Sequence, residues 1–230
     1  MHSVKNCWVR RKLLILPGTS NPFSSGYKEV YQHISNLANS HGYESMLGSY
    51  PGHGEGNLTF EGAIAAAQHQ CAEYKPVWVI ARSFGCDVAA EILSADALAQ
   101  GIEGAILWGP TLGNWARRFF PTAADRRKEI AQYREYGANL ADDFLDNFPA
   151  LELIIEKTRC NIRLIRGTKD TSSFREDLDF LAAVHKRGQP SRICEVVEIP
   201  GVSHTIVPAA CTDRQLADYS NALFRPFIRP

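Results

Sequence analysis

Residues 76–86, Pro-Val-Trp-Val-Ile-Ala-Arg-Ser-Phe-Gly-Cys, constrain the chain more than any other stretch. An apolar, β-branched run stops at Ser83 and passes directly into the helical pattern Asp87-Val88-Ala89-Ala90-Glu91-Ile92-Leu93. A strand that breaks at a serine and becomes a helix turns sharply. The residues two before and two after that serine must be small, because the two backbones nearly touch. Ala81 and Gly85 meet this need. The turn lifts the hydroxyl clear of the sheet at a helix N-terminus, whose dipole favours developing negative charge. A strand followed by an ordinary serine-capped helix reads much the same over these residues, so the stretch alone leaves both readings open.

The rest of the composition narrows the class. With 230 residues, 45% hydrophobic and 22% charged, the chain suits one sizeable core rather than a disordered or collagen-like polymer. Lysine plus arginine (25) balances aspartate plus glutamate (25), so there is no overall electrostatic case for nucleic acid or an anionic membrane surface. Arg117, Arg118, Arg126, Arg127 and Lys128 form a local basic cluster, but acids follow closely and it reads as a solvated helix face. Cys7, Cys71, Cys86, Cys160, Cys194 and Cys211 lack CxxC or Cys/His metal spacing, which predicts a reducing compartment and no metal. Lys5, Arg10, Arg11 and Lys12 precede an apolar stretch of only four residues and no cleavage site follows, so a signal peptide is not expected. No apolar run has transmembrane length, and the expectation is a soluble cytoplasmic protein without membrane insertion.

Strand and helix signals alternate along the chain. Strands are expected at 12–17, 43–50, 77–82, 102–108, 161–166 and 192–199, and helices at 27–39, 60–74, 84–99, 174–186 and near 213–224. Six strands joined by crossover helices imply a three-layer α/β fold: a mainly parallel sheet of about six strands with helices on both faces. Residues 111–159 differ in character. They combine helical periodicity and charge with many aromatics (Trp115, Phe119, Phe120, Tyr133, Tyr136, Phe144 and Phe148), and Thr122 with Asp125 resembles an N-cap signature. Such a segment either lies over a functional surface or packs its rings on the sheet edge.

On a parallel sheet, chemistry gathers outside the carboxyl ends of the strands. The first strand ends in Pro17-Gly18-Thr19-Ser20-Asn21, the third at Ser83, the fifth in Gly167-Thr168-Lys169-Asp170 and the last in Pro200-Gly201-Val202-Ser203-His204. This order of Ser, Asp and His, with the small-x-Ser-x-small elbow, resembles the α/β-hydrolase superfamily over nearly the whole chain. The resemblance implies Ser83 as nucleophile, Asp170 as the acid and His204 as the general base, with the backbone amides of Thr19 and Phe84 as the oxyanion hole. It also matches Tyr50-Pro51-Gly52-His53-Gly54 to a turn that often follows the second strand. One domain over 1–230 is expected, with 111–159 as a helical cap. Two departures stand out: few residues precede the first strand, so the family's opening antiparallel strands are shortened or absent, and proline replaces the histidine of the oxyanion loop.

The residue types suit acyl chemistry. A serine hydroxyl is a weak nucleophile until a neutral histidine takes its proton, and a carboxylate fixes that histidine's tautomer. Asp177 and Asp179 are rival acids, disfavoured because both fall within a helical pattern. His53 reads as a structural turn histidine and Cys86 as a packing residue. Gly52-x-Gly54-x-Gly56 has the wrong spacing and place for a dinucleotide loop. Arg82 either pairs with Asp87 or a cap carboxylate, or reads an acidic group on the substrate. Arg82, Trp115, Phe119 and Phe144 are the substrate-binding candidates. The expected activity is hydrolysis of a carboxylic ester or thioester of a small-molecule acyl substrate, with no cofactor and no nucleic acid. Amide or carbon–carbon bond hydrolysis, or a non-catalytic binding protein, are the alternatives, and oligomeric state stays open.

Overall fold

Six short apolar strands lie side by side in one sheet in the order β2-β1-β3-β4-β5-β6. They are β1 (Arg11–Leu16), β2 (Tyr43–Leu47), β3 (Trp78–Arg82), β4 (Gly104–Trp108), β5 (Asn161–Gly167) and β6 (Cys194–Ile199). This computed structural model describes residues 11–135 and 137–227; Lys5, Cys7, Arg10 and Tyr136 lie outside the described residues. Among the described residues every strand pairing is parallel, with Ile15 beside Ile80 and Ile80 beside Ile106. The helices are α1 (Lys28–Ser40), α2 (Phe60–Tyr74), α3 (Gly85–Ser94), α4 (Asp96–Ala99), α5 (Trp115–Phe119), α6 (Ala123–Glu135), α7 (Leu151–Ile154), α8 (Arg175–Gly188) and α9 (Asp213–Phe224).

Successive strand side chains point to opposite faces, and both faces are covered. Leu14, Leu16, Val79, Ala81, Leu107 and Leu164 pack with residues of α2, α3 and α8. Leu13, Ile15, Ile80, Ile106 and Ile165 pack with residues of α1 and α9. Each fully buried leucine or isoleucine contributes about 1.5–3 kcal/mol relative to exposure, so these two layers hold the sheet between helices. Arg82 follows Ile80 by two residues, and its side chain therefore starts on the α1/α9 face.

The connectivity decides where a site can form. From β1 the chain goes outward to β2, then crosses back to β3 on the other side of β1. The loops leaving β1 and β3 diverge and open a crevice at their carboxyl ends.

Two expectations need correction. The helix expected over 84–99 breaks at Ala95, whose backbone is extended, after Ser94 turns its hydroxyl back to the Glu91 carbonyl at 2.9 Å. The segment 111–159 is helical only in α5, α6, α7 and the short 3-10 helix Ile155–Lys157 that follows α7. Thr122 and Asp125 do cap α6 reciprocally, with amide-to-side-chain distances of 3.1 and 3.2 Å. Residues 138–141 instead run beside Leu58: Leu58 donates its amide to Asn139 O at 2.5 Å and Ala141 donates to Leu58 O at 3.0 Å. Among the described residues no helix is long and apolar enough to cross a membrane.

Candidate active site

The turn at Ser83 is as sharp as its neighbours require. Ser83 has φ +52°, a left-handed backbone that costs a non-glycine residue about 1 kcal/mol or more. Its amide donates to the Trp108 carbonyl and its own carbonyl accepts from the Cys86 amide, both at 2.8 Å, which ties the corner to β4 and to α3. Gly85 has no substitute: a Cβ there would sit 2.5 Å from the carbonyl oxygens of Leu16 and Pro17. The serine hydroxyl has no hydrogen-bond partner among the described residues and lines the crevice.

The loops after β5 and β6 interlock through their backbones. Thr168 donates to Ile199 O at 3.0 Å and Lys169 to Val202 O at 2.9 Å, while a Cβ on Gly167 would fall 2.0 Å from Val202 O. This register brings His204 Nδ1 to 2.8 Å from Asp170 Oδ2. Asp170 Oδ1 accepts from the amides of Ser172 (2.8 Å) and Ser173 (3.1 Å). Burial pushes the Asp170 carboxyl up, but the hydrogen bond and charge of His204 and these two amides outweigh it, leaving the group below its ordinary value. The histidine is held from behind as well: Trp108 donates its indole N–H to the His204 carbonyl at 2.8 Å. Gly109, at φ +62°, closes the wall, and a Cβ there would lie 2.7 Å from His204 Cε1 and 2.8 Å from Nδ1. The rival acids are engaged elsewhere, Asp177 with Arg118 at 3.1 Å and Asp179 with Arg175 at 3.0 Å.

The loop after β1 presents its amides to the same crevice. Gly18 donates its N–H to the Tyr31 hydroxyl at 3.1 Å, and its carbonyl lies 3.1 Å from His53 Nε2. The Tyr50 amide donates to His53 Nδ1 at 3.3 Å, so Nε2 carries the proton and donates to Gly18. His53 is therefore a brace. It supports the loop after β1 from the loop after β2. Burial lowers its pKa to about 4, despite hydrogen bonds to Gly18 and Thr19, and keeps it neutral. The amides of Thr19 and Phe84 have no acceptor among the described residues.

These groups share one cavity that opens to solvent at its mouth. Thr19, Arg82, Ser83, Phe84 and His204 line it from the strand ends; Trp115, Tyr133, Leu140, Phe144 and Phe148 line it from the 111–159 segment. Phe144 meets the Phe84 ring edge-on at 5.0 Å. Phe119 is the exception among the expected residues. It is 38% exposed and outside the cavity: on the same face of α5 as Trp115, it packs behind that ring at 5.8 Å and stacks on Phe174 at 6.2 Å. Nor does Arg82 pair with Asp87: the Asp87 carboxylate has no hydrogen-bond partner, and desolvation raises its pKa well above the ordinary range. Sequence reasoning missed Gly109, the bracing role of His53, and Tyr27, which lines the cavity under the Arg82 guanidinium. A glycine-proline step right after β4 was the available signal for the first.

No protein-family model and no curated protein sequence matches the chain. Solved structures do. A monoacylglycerol lipase of Paleococcus ferrophilus superposes with a TM-score of 0.65 at 16% identity, covering 92% of this chain and 91% of that one. The esterase domain of a Rhodothermus marinus protein gives 0.63 at 14%, over 93% and 84% of the chains. An N-formylmaleamic acid deformylase of Pseudomonas putida gives 0.55 at 14%, over 84% and 86%. The chain has the α/β-hydrolase fold.

Proposed function

We propose that this chain is a serine hydrolase that cleaves a carboxylic ester or thioester through an acyl-enzyme. The observation that carries the reading is the convergence of a strained Ser83 corner and a 2.8 Å His204–Asp170 pair on one cavity. The carboxylate of Asp170 only accepts, so His204 carries its proton on Nδ1 and leaves Nε2 free as the base. In this reading, Nε2 takes the Ser83 proton as Oγ attacks the acyl carbon. The carbonyl π electrons move to oxygen, which the amides of Thr19 and Phe84 receive; one such donor is worth about 3–4 kcal/mol in the transition state. Collapse expels the alcohol or thiol with the proton from His204. Water then repeats the sequence on the acyl-serine, returning free acid and Ser83. Segment 111–159 acts as a cap whose aromatic wall excludes water and seats the acyl group. The cytoplasm is the setting that suits six cysteines without a pairing pattern.

The test is labelling with a fluorophosphonate, followed by a panel of 4-nitrophenyl esters and acyl thioesters of varied length. Covalent attachment at Ser83, absent in Ser83→Ala, and turnover of at least one series are expected. A folded protein that neither labels nor turns over would remove the hydrolase reading.

A further inference from the structure

Two arginines are buried on the α1/α9 side of the sheet, and they are treated differently. Arg163, in the middle of β5, is fully enclosed and saturated. It pairs with Glu195 at 2.8 Å and donates to the carbonyls of Ala222 (2.9 Å), Arg225 (3.1 Å) and Pro226 (3.2 Å). Arg82, at the end of β3, is 6% exposed and takes part in no ion pair among the described residues. Its neighbours are neutral. It donates to the Thr205 hydroxyl, lies 5.4 Å over the Tyr27 ring and sits beside the Tyr31 phenol, while its Nε has no partner. The one carboxylate nearby in sequence, Asp87, is enclosed in the opposite layer and is no counter-charge.

A guanidinium stays protonated in proteins, and a buried charge without a partner is strongly disfavoured. Arg163 shows how this fold satisfies such a charge when its role is structural. Arg82 differs in facing the cavity, and it does so next to the nucleophile. A Cβ placed on Gly18 would touch Ser83 Cβ at 3.3 Å and Arg82 Nη1 at 3.4 Å, so the cation and the serine flank a single point of the oxyanion loop. The cavity is correspondingly two-sided. Phe84, Leu140, Phe144 and Leu145 belong to the apolar layer of α2, α3 and α8, whereas Tyr27 packs with the α1/α9 layer on which Arg82 begins.

The geometry points to a substrate that carries its own carboxylate: Arg82 supplies the counter-charge for an anionic ester or thioester whose carboxylate sits close to the scissile carbonyl, with the apolar part under the aromatic wall. This inference rests on the hydrolase reading above and names its substrate class. A planar guanidinium suits a carboxylate better than an ammonium would, because its N–H groups form a fixed fork.

The experiment compares matched methyl esters: the monomethyl esters of succinate, glutarate and adipate against their neutral amide isosteres, methyl succinamate, glutaramate and adipamate. For at least one length, wild-type kcat/KM is expected to favour the acid over the amide by about tenfold or more. Arg82→Gln should bring that ratio to about one, and Arg82→Lys should retain part of it. Wild-type turnover with no preference for any acid would overturn the proposal, and this arm needs no variant to fold. Free succinate, glutarate and adipate are titrated in parallel by calorimetry. Arg82-dependent binding of a diacid by a protein that fails to label at Ser83 supports the anion site and sinks the hydrolase reading. Labelling at Ser83 without acid preference or diacid binding does the reverse.

Discussion

The loops at the ends of β3, β5 and β6 and the 111–159 segment meet over the same cavity but are held there by different means. The strand-end loops are fixed by backbone: amide–carbonyl bonds across β4, β5 and β6, and glycines at positions where a Cβ would collide. The aromatic wall is fixed by side chains, with Phe144 against Phe84 and Trp115 against Phe148 at 5.3 Å, and by the short run beside Leu58. A backbone-built constellation tolerates little and places reactive atoms to a fraction of an ångström. A side-chain wall can be reshaped one ring at a time. On the proposed function, that division assigns the reaction to the first region and the choice of acyl group to the second.

The largest effect should come from the backbone-held pair itself. Asp170→Asn is expected to lower kcat by about 10⁴, since the amide favours the wrong histidine tautomer. Ser83→Ala combined with His204→Ala should lose little more than either change alone, because the residues act as a unit. Steady-state rates on the best ester of the panel check both, and clearly multiplicative losses would break the shared proton path.

Gly109→Ala should follow, at about 10² in kcat, because a methyl group there displaces the His204 ring. A variant that keeps full activity would mean that the histidine is placed by its own loop and not by the wall behind it.

His53 tests the brace by pH. Above about pH 6.5 it is neutral whether folded or unfolded, and stability does not change through it. Below that, the unfolded chain takes up the proton first, since burial holds the folded pKa near 4. Stability is therefore lost as pH falls from about 6.5 to 4, by about 3 kcal/mol in all. His53→Gln keeps a donor for Gly18 and removes the titration, so denaturant unfolding at pH 4.5 and 7 should show that part of the slope gone. An unchanged slope would assign the acid sensitivity to other groups.

The smallest effects belong to the wall, and they separate it from ordinary packing. Phe144→Ala should change kcat/KM unequally across acyl chain lengths by about 10-fold or more, whereas Phe119→Ala, outside the cavity, should leave the ratios alone. Equal selectivity profiles for the two variants would erase the distinction between wall and surface.

Much of this was legible without coordinates, and for a common reason. Strands bounded by Gly and Pro, the small residues around Ser83 and the order Ser83, Asp170, His204 are local signals, each carried by a few neighbouring residues; the observed strands fall within a few residues of those expected. Phe60–Tyr74 and Asp213–Phe224 coincide with the helices expected at 60–74 and 213–224, because each has a threonine cap at its start, Thr59 and Thr212. The breaks within 111–159 were not legible, since helical periodicity persists in sequence where a tertiary partner, the Leu58 backbone, captures the chain.

What the sequence determined by itself was the parallel sheet and the chain positions where chemistry had to collect, because strand period and turn chemistry act over a few residues. Tertiary structure alone decided which side chains face inward and which charges find partners. Phe119 and Phe144 carry the same ring, and Arg82 and Arg163 the same guanidinium. Only the packing of distant segments turns one ring onto the surface and the other into the cavity, and seats one arginine against Glu195 while leaving the other beside Ser83 without a carboxylate.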